Sequence, residues 1–416
     1  MVGLALGNRG EPRRAVLVVY GLIFHTAALE LAIVPLLPVF STEFDLSTVE
    51  AGALLASVGV TVMVASAPLG HLSDRVGGRR MTVAAATLFS LAAIGQGLAS
   101  SYALLLLSWA VFGVGVAIVV TGSLAWLSDL LPASHRTAAL GGATTVSGLG
   151  VIAGPLFGGV VVENIGRDTA FLIAAAVAGL LAVAAHVGTE DARHEPSSMP
   201  LSTTIHAVRH EPLVIGGLTL VGFLGLVFGI VHVLIPLRLS ANGLSAGEVG
   251  VAFSASAAVF VAVSAVVARL GARAFTLRTA AIAIFAQAAL LVIPIVSLTT
   301  VAMIGFLFLR APVWATSATI CYPLTSQGAH RAGLGRGAIF GLLNLVWGIA
   351  AVLSPLVGGA IAQTVGERWA YVALALVCAV FGAFVLSLKP GEAATMAAAP
   401  AGDDVAHPAG SMKRGP

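Results

Sequence analysis

Glu30 is an acidic residue near the middle of a long apolar stretch of this sequence, and Arg310 is a basic residue similarly placed in a later stretch. An ionised carboxylate surrounded by hydrocarbon is costly, so it must be protonated, paired with a base or hydrated. Glu30 can therefore carry a proton, or bind a cation, inside an apolar environment. The alternative interpretation is a permanent structural ion pair between Glu30 and Arg310.

Other polar and aromatic side chains within apolar stretches are further candidates. His25 and His232 could take part in proton transfer, although an isolated histidine in such a place is more often a packing residue. A second group could line a binding cavity, although each member is also consistent with ordinary packing. This group comprises Trp109, Phe112, Gln287, Trp314, Phe340, Asn344 and Trp347.

The composition places these residues in a membrane. Of the 416 residues, 58% are hydrophobic and only 9% are charged, whereas soluble domains carry roughly 25% charged residues. The sequence contains no phosphate-binding loop, metal-ligand cluster or nucleophile–base pair. We therefore expect neither an enzyme nor a bound cofactor or metal. Because the basic residues lie in short loops between apolar stretches, the net charge of +3 does not indicate a nucleic-acid partner.

The apolar stretches predict an all-α integral membrane protein with about twelve transmembrane helices. Each stretch has about 20 residues, which is the length needed to cross one bilayer. The predicted spans are 16–40, 48–70, 81–99, 103–128, 137–162, 169–187, 213–237, 247–268, 276–297, 300–322, 337–363 and 368–387.

Basic residues between the spans predict the orientation. Cytoplasmic loops of membrane proteins carry an excess of Lys and Arg. With both termini inside, seventeen of the 21 Lys and Arg residues are cytoplasmic, Arg167, Arg238 and Arg368 lie outside, and Arg310 lies within a span. We therefore expect a multi-pass protein of the cell (inner or plasma) membrane with both termini in the cytoplasm.

The sequence is also organised as two similar halves. An offset of 200 residues places Pro155 on Pro355 and Gly158 on Gly358, and Ser47 and Glu50 have counterparts in Ser245 and Glu248. We predict two six-helix bundles, 16–187 and 213–388, that are pseudo-repeats of each other. The remaining segments are a cytoplasmic N-terminus (1–15), a cytoplasmic linker (188–212) that could alternatively be regulatory, and a disordered cytoplasmic tail (389–416).

The loop between the second and third spans contains the motif Gly-His-Leu-Ser-Asp-Arg-Val-Gly-Gly-Arg-Arg at 70–80. It resembles the loop signature of the major facilitator superfamily. Gly70 would let two helices approach closely, Asp74 could pair with a base, and the arginines could bind anionic headgroups. The resemblance implies a charge cluster that latches one conformation; a purely topological signal is the alternative. The residues of this candidate latch are Gly70, Asp74, Arg75, Gly77, Arg79, Arg80 and Asp129.

The fifth predicted span carries a second motif of small residues. Gly150, Gly154 and Gly158 recur every four residues and form one smooth helix face, which allows close helix packing in lipid. Pro155 favours a kink. The pattern resembles the antiporter motif of drug:proton exporters in the same superfamily, which implies a seal between the two halves in addition to packing. The motif positions are Gly141, Gly150, Gly154, Pro155, Gly158 and Gly159.

These resemblances imply a major facilitator fold and a secondary active transporter that exports small apolar or cationic compounds in exchange for protons by alternating access. In the fourth span, Trp109 and Phe112 stand where proton-coupled members carry an arginine and its neighbours, which departs from the pattern. The expected partners are a small-molecule substrate, protons and the lipid bilayer, with the protein as a monomer. The alternatives are an importer of a sugar-like or anionic solute, whose anion would meet Arg310, and a non-transporting membrane sensor or scaffold.

Overall fold

The computed structural model describes residues 10–187, 211–271, 275–332 and 336–388. Within these residues, twelve helices are long and apolar enough to cross a bilayer, and they coincide with the twelve predicted spans. The predicted fold class is therefore confirmed. The first nine residues, most of the predicted linker and the predicted tail lie outside the described residues.

The first bundle contains six transmembrane helices. Two of them pass through a π-helical turn, a widened form of the α-helix that is frequent at functional sites. The helices are α1 (Gly10–Glu43), α2 (Thr48–Val76), α3 (Gly78–Leu98), α4 (Tyr102–Ile118, continuing through a π-turn at Val119–Ser123 to Leu124–Leu130), α5 (Ala133–Leu156, continuing through a π-turn at Phe157–Val161 to Val162–Ile165) and α6 (Arg167–Val187).

The second bundle repeats this order. Its helices are α7 (Pro212–Ala241), α8 (Ala246–Leu270), α9 (Leu277–Leu290, continuing as Val292–Val296), α10 (Thr300–Arg331), α11 (Arg336–Thr364) and α12 (Glu367–Ser387).

The repeat is visible in the local chemistry of the helix starts. Ser47 and Glu50 form a capping box at the start of α2, and Ser245 and Glu248 form the same arrangement at the start of α8. Each serine accepts a hydrogen bond from a free backbone N–H of the first turn, and each glutamate accepts one in return from the serine N–H. The sequence similarity between these two segments therefore reflects a shared structural requirement.

Helix pairs also repeat within the halves. In the first bundle α1 packs along α5 and α3 packs along α6, and in the second bundle α7 packs along α11 and α9 along α12. Contacts between the bundles are made mainly by α2 with α11 and by α5 with α8. Four central helices from each bundle therefore surround the middle of the molecule, whereas α3, α6, α9 and α12 lie at its periphery.

The two ends of the helix array differ in how closely the bundles approach. We name them the Gly77 end and the Gly166 end after the turns α2–α3 and α5–α6, which lie at opposite ends because successive spans alternate in direction. At the Gly166 end, a Cβ on Gly52 would lie 2.5 Å from the carbonyl oxygen of Pro355, and one on Gly359 would lie 2.9 Å from that of Thr48. Real Cβ atoms do not come within 3.0 Å, so α2 and α11 are in backbone contact there.

At the Gly77 end the helices have room. A Cβ added to Gly70 on α2, Gly141 on α5 or Gly341 on α11 would meet no atom within 4 Å. The close helix approach that the sequence predicts at Gly70 is therefore absent in this conformation. The structure shows the two bundles in backbone contact at the Gly166 end and open space beside these three glycines at the Gly77 end.

Candidate binding cavity

A cavity of about 240 Å³ lies between the two bundles in the middle of the molecule. Its lining includes Glu30 from α1, His232 from α7 and Arg310 from α10. A neighbouring cavity of about 530 Å³ shares several of the same side chains. The shared residues are Glu30, Ser147, Phe228, Phe260, Trp314 and Trp347.

Glu30 is half-buried and lines both cavities. Among the residues that the structure describes, no side chain or backbone group forms a hydrogen bond or ion pair with its carboxyl group. Three residues of α5, namely Ser147, Val151 and Pro155, line the smaller cavity together with it. The carboxyl group therefore faces the cavity without a fixed partner.

The glycines of α5 hold the segment of α1 that carries Glu30. A Cβ on Gly150 would lie 2.7 Å from the carbonyl oxygen of Phe24, and one on Gly154 would lie 2.5 Å from that of Ala28. Gly158 is in still closer contact with the carbonyl of Ala32. Only glycine fits at these three positions, because the two backbones touch. The four-residue spacing of these glycines therefore allows the backbone of α1 to pack directly against α5.

The positions of the small-residue motif divide between two neighbours. In this conformation Gly150, Gly154 and Gly158 contact α1 of the same bundle, and the seal between the halves stays a prediction for the motif as a whole. The inter-bundle contact is made by the neighbouring positions: the backbone of Pro155 and Gly159 touches Gly250 on α8. Helical periodicity predicted a smooth face but could not say which helix it would meet.

Arg310 is buried, with 6% of its surface exposed, and its guanidinium lies over the ring of Trp314 at 4.4 Å. Within the described part of the chain, its Nε and Nη1 atoms have no hydrogen-bond partner. No ion pair joins Arg310 to Glu30 among the described residues. The two charged groups share a cavity, and the permanent pair considered from the sequence is absent in this conformation.

His232 stands beside Arg310 in an aromatic surround. Its Nδ1 donates a hydrogen bond to the Phe228 carbonyl oxygen over 2.8 Å. Its ring centroid lies 4.3 Å from that of Phe228 and 6.0 Å from that of Trp314. A carbonyl oxygen can only accept, so Nδ1 carries the hydrogen and the ring orientation is fixed. His232 therefore has both a packing role and a place on the cavity wall.

The other predicted site residues divide into two groups. Trp314 and Trp347 line both cavities, and Trp109 and Asn344 line the larger one. His25, Phe112 and Gln287 are buried and lie outside both linings; the His25 ring, for example, is 5.7 Å from that of Phe89. The side chain of Phe340 lies outside the described residues.

Several lining residues were not singled out from the sequence. Phe228, Phe253 and Phe260 contribute aromatic surface, and Ser147 and Ser256 contribute hydroxyl groups to the same cavity wall. One signal could have found Phe228. The capping residues of α2 and α8 lie 198 residues apart in the sequence. The same spacing makes Phe228 the counterpart of Glu30 in the second half. The remaining residues are ordinary apolar positions whose sequence context gives no comparable signal.

The motif loop at the Gly77 end has two glycines with different roles. Gly77 adopts a φ of 93°, which favours glycine, and Gly78 is in close contact with the side chain of Trp126. Arg79 Nη1 donates a hydrogen bond to the His186 carbonyl oxygen at 3.5 Å, while Arg75 and Arg80 are exposed. The side chains of Asp74 and Asp129 lie outside the described residues, so the proposed latch stays a prediction.

A polar contact joins the bundles at the Gly166 end. Glu163, in the last turn of α5, accepts a hydrogen bond from Ser245 Oγ over 3.0 Å and another from the backbone N–H of Gly247. The free N–H groups at a helix start attract an anion. Glu163 therefore caps α8 of the opposite bundle, next to the backbone contact of Gly159 with Gly250.

The fold and the sequence agree on the family. A family model described as Major Facilitator Superfamily matches residues 19–339. The chain belongs to the major facilitator superfamily. It is thus a membrane-embedded member of this transporter family, built on the two-bundle plan described above.

Two curated relatives of this transporter are resistance proteins. Multidrug resistance protein 1 of Bacillus subtilis (strain 168) is 27% identical over 169 residues, which cover 41% of this chain and 43% of the relative. Quinolone resistance protein NorA of Staphylococcus aureus (strain Mu50 / ATCC 700699) is 25% identical over 180 residues, covering 43% of this chain and 44% of that protein. The matched stretches span less than half of each relative's length.

A solved structure shares the fold over nearly the whole transporter. It is that of a bacterial homologue of the human lysosomal transporter Spinster, in an inward-facing and unoccupied conformation. The TM-score is 0.74 at 16% sequence identity, and the match covers 91% of this chain and 97% of that one. This similarity shows the fold alone.

Proposed function

We propose that this transporter exports small apolar or cationic compounds in exchange for protons, by alternating access. The observation that carries the proposal is Glu30, a carboxyl group without a fixed partner on the wall of the central cavity. Cavities between the repeated halves are where secondary transporters bind substrate and coupling ions. The resistance proteins among the relatives support export over import.

The exchange would use one carboxyl group for two ligands. In its ionised form Glu30 attracts a cation that enters the aromatic cavity, and in its protonated form it releases that cation. Because an unpaired carboxylate in an apolar cavity is unfavourable, the empty carrier would change conformation with Glu30 protonated. Proton and substrate would therefore occupy the site in alternate half-cycles, which is the requirement for antiport.

The conformation described here fits one half of that cycle. The charge asymmetry of the loops supports a cytoplasmic Gly77 end, so the contact at the Gly166 end would close the outer side. Gly52, Gly359 and Glu163 would hold this closure. Under this orientation the protein is open towards the cytoplasm, where an exporter collects its substrate.

Transport in everted membrane vesicles tests the proposal. Vesicles from cells that express the chain would be energised with an acidic lumen and supplied with radiolabelled tetraphenylphosphonium, a lipophilic monocation. We expect accumulation that nigericin abolishes by collapsing the pH gradient, and no accumulation in vesicles without the protein. Accumulation that is indifferent to the pH gradient, or uptake only in right-side-out vesicles, would contradict proton-coupled export.

A further inference from the structure

The Arg310 guanidinium is a buried cation on the wall of the central cavity with incompletely satisfied hydrogen-bond donors. Only 6% of the residue is exposed, and two of its nitrogen atoms are buried without a hydrogen-bond partner among the described residues. The ring of Trp314 covers its face, but the N–H donors point from its edge, in the plane of the group. Stacking therefore leaves the donors unsatisfied, and an unpaired buried charge is strongly unfavourable.

A carboxylate is the ligand that matches this group. The planar guanidinium presents parallel N–H donors that bind the two oxygens of a carboxylate together. Arg310 is the one permanently cationic side chain among the described residues of both linings, and the rest of the wall is mainly apolar and aromatic. One guanidinium neutralises a single negative charge, so a monoanion fits better than a phosphate dianion.

Glu30 supplies the other half of the recognition. It shares the cavity with Arg310, and the two lie at comparable depth. At 1.5 Å per residue, Glu30 is ~20 Å from the end of α1 at Glu43, and Arg310 is ~15 Å from the start of α10 at Thr300, both at the Gly166 end. A ligand with only a carboxylate would leave two negative charges in one cavity when Glu30 is ionised. A ligand that also carries an ammonium group would satisfy both side chains.

We infer that the cavity binds amphipathic zwitterions, with the ligand carboxylate on Arg310, its ammonium group towards Glu30 and an aromatic body among Phe228, Trp314 and Trp347. This inference rests on the proposed function, because it specifies the substrate class of the same site. Arg310 would bind an anionic group of the substrate, whereas the export of cations was proposed on the basis of Glu30.

Binding of three matched probes to the purified full-length protein tests the inference. The probes share a biphenyl body: one carries an aminomethyl group and a carboxylate, the second is its methyl ester, and the third is its N-acetyl derivative. Isothermal titration calorimetry at neutral pH would give Kd for each probe with the wild type, Arg310→Gln, Glu30→Gln and Arg269→Gln. Arg269 is exposed on α8 and provides a control with the same change of charge.

We expect the zwitterion to bind the wild type more tightly than either capped form. Arg310→Gln should weaken binding of the two carboxylate probes by about tenfold or more and leave the ester unchanged, since a charge-assisted hydrogen bond is lost only for the former. Glu30→Gln should weaken the two amines and spare the N-acetyl form. Arg269→Gln should change none of them.

Two results would overturn the inference. One is a zwitterion that does not bind the wild type more tightly than both capped forms. The other is an Arg310→Gln variant that retains wild-type affinity for the carboxylate probes, or loses affinity for acid and ester alike. The binding assay needs no pH gradient, so it does not depend on proton coupling. The vesicle assay uses a cation without a carboxylate, so it does not depend on binding of a carboxylate by Arg310. Failure of the zwitterion inference is therefore distinguishable from failure of proton-coupled export.

Discussion

At the scale of single residues, the central feature is a carboxyl group and a guanidinium that share a cavity without pairing. Glu30 was found from the sequence because an acid within an apolar span is rare and expensive. Arg310 was found for the same reason. Their common cavity could not be predicted, since it depends on how α1 and α10 tilt and pack between the bundles. The burial of Gln287 outside both linings shows the same limit: polarity marks a residue, but packing decides where it faces.

Glu30→Gln should abolish proton release on substrate binding. The amide imitates the protonated acid in shape but has no proton to release. The variant should therefore fold and still bind tetraphenylphosphonium at a saturating concentration, although with reduced affinity. A pH-sensitive dye in weakly buffered detergent solution would measure the protons released by purified protein. We expect about one proton per bound cation for the wild type and none for Glu30→Gln.

His232→Gln is the informative comparison for this experiment, because His232 lines the same cavity and is the rival proton carrier. It should retain substrate-induced proton release. If release persists in Glu30→Gln and disappears in His232→Gln, the coupling role belongs to the histidine.

At the scale of helices, the glycine and proline motif of α5 contacts two neighbouring helices at once. Gly150, Gly154 and Gly158 press against α1 and position Glu30, whereas Pro155 and Gly159 meet α8 of the other bundle. A movement of α5 would therefore displace both the segment of α1 that carries Glu30 and the contact at the Gly166 end. This arrangement gives a physical route by which protonation and conformation could be linked.

Gly154→Leu should produce a folded but inactive transporter. A leucine side chain cannot fit against the Ala28 carbonyl and would push α1 away, and overpacking of this kind typically costs about 1–3 kcal/mol. Thermal unfolding of the purified protein and vesicle transport would measure the two effects. Gly305→Leu is the control, because it adds the same side chain to α10 at a position outside the motif where there is open space. Equal transport by both variants would contradict the positioning role.

The contact of Glu163 with the start of α8 should favour closure of the Gly166 end. Glu163→Gln keeps the size of the side chain but replaces charge-assisted hydrogen bonds with weaker neutral ones. We expect the population open at this end to rise about fivefold, the effect of roughly 1 kcal/mol. Distances between spin labels at Ser100 and Thr299, one in each bundle, would report it. Asp168→Asn, an exposed acid at the same end, should leave the distribution unchanged.

At the scale of the whole molecule, the loop charges predict that the Gly77 end faces the cytoplasm. His71→Cys and Asn164→Cys introduce exposed thiols at the two ends, and the native Cys321 and Cys378 are buried. In intact cells, a membrane-impermeant maleimide should label Cys at 164 and should label Cys at 71 only after the cells are opened. The opposite labelling pattern would reverse the orientation and, with it, the assignment of export.

Most of the architecture was predictable because it follows from local rules. Twelve apolar stretches, the repeated capping residues Ser47 and Ser245, and the Pro155–Pro355 correspondence are each legible in the sequence. The partners of the α5 glycines were not, since a periodic face specifies its own shape and leaves its neighbour open. The aromatic wall was found only in part, because Phe253 and Phe260 look like any other apolar residue of a span.

The two opposite charges of the described cavity lining, Glu30 and Arg310, also have an electrical consequence. If the empty carrier returns with Glu30 protonated, Arg310 leaves one net positive charge in its site; with a zwitterion bound and Glu30 ionised, the net charge is zero. Each exported zwitterion would therefore move one positive charge inward, and a potential of about 100 mV would contribute roughly 2.3 kcal/mol to the exchange. Exchange of one proton for the methyl ester, a monocation, would move none. The voltage across proteoliposome membranes can be set with valinomycin and a potassium gradient. An inside-negative voltage should speed the efflux of the zwitterion and leave the efflux of the ester constant. Equal voltage dependence of the two probes would contradict this charge balance.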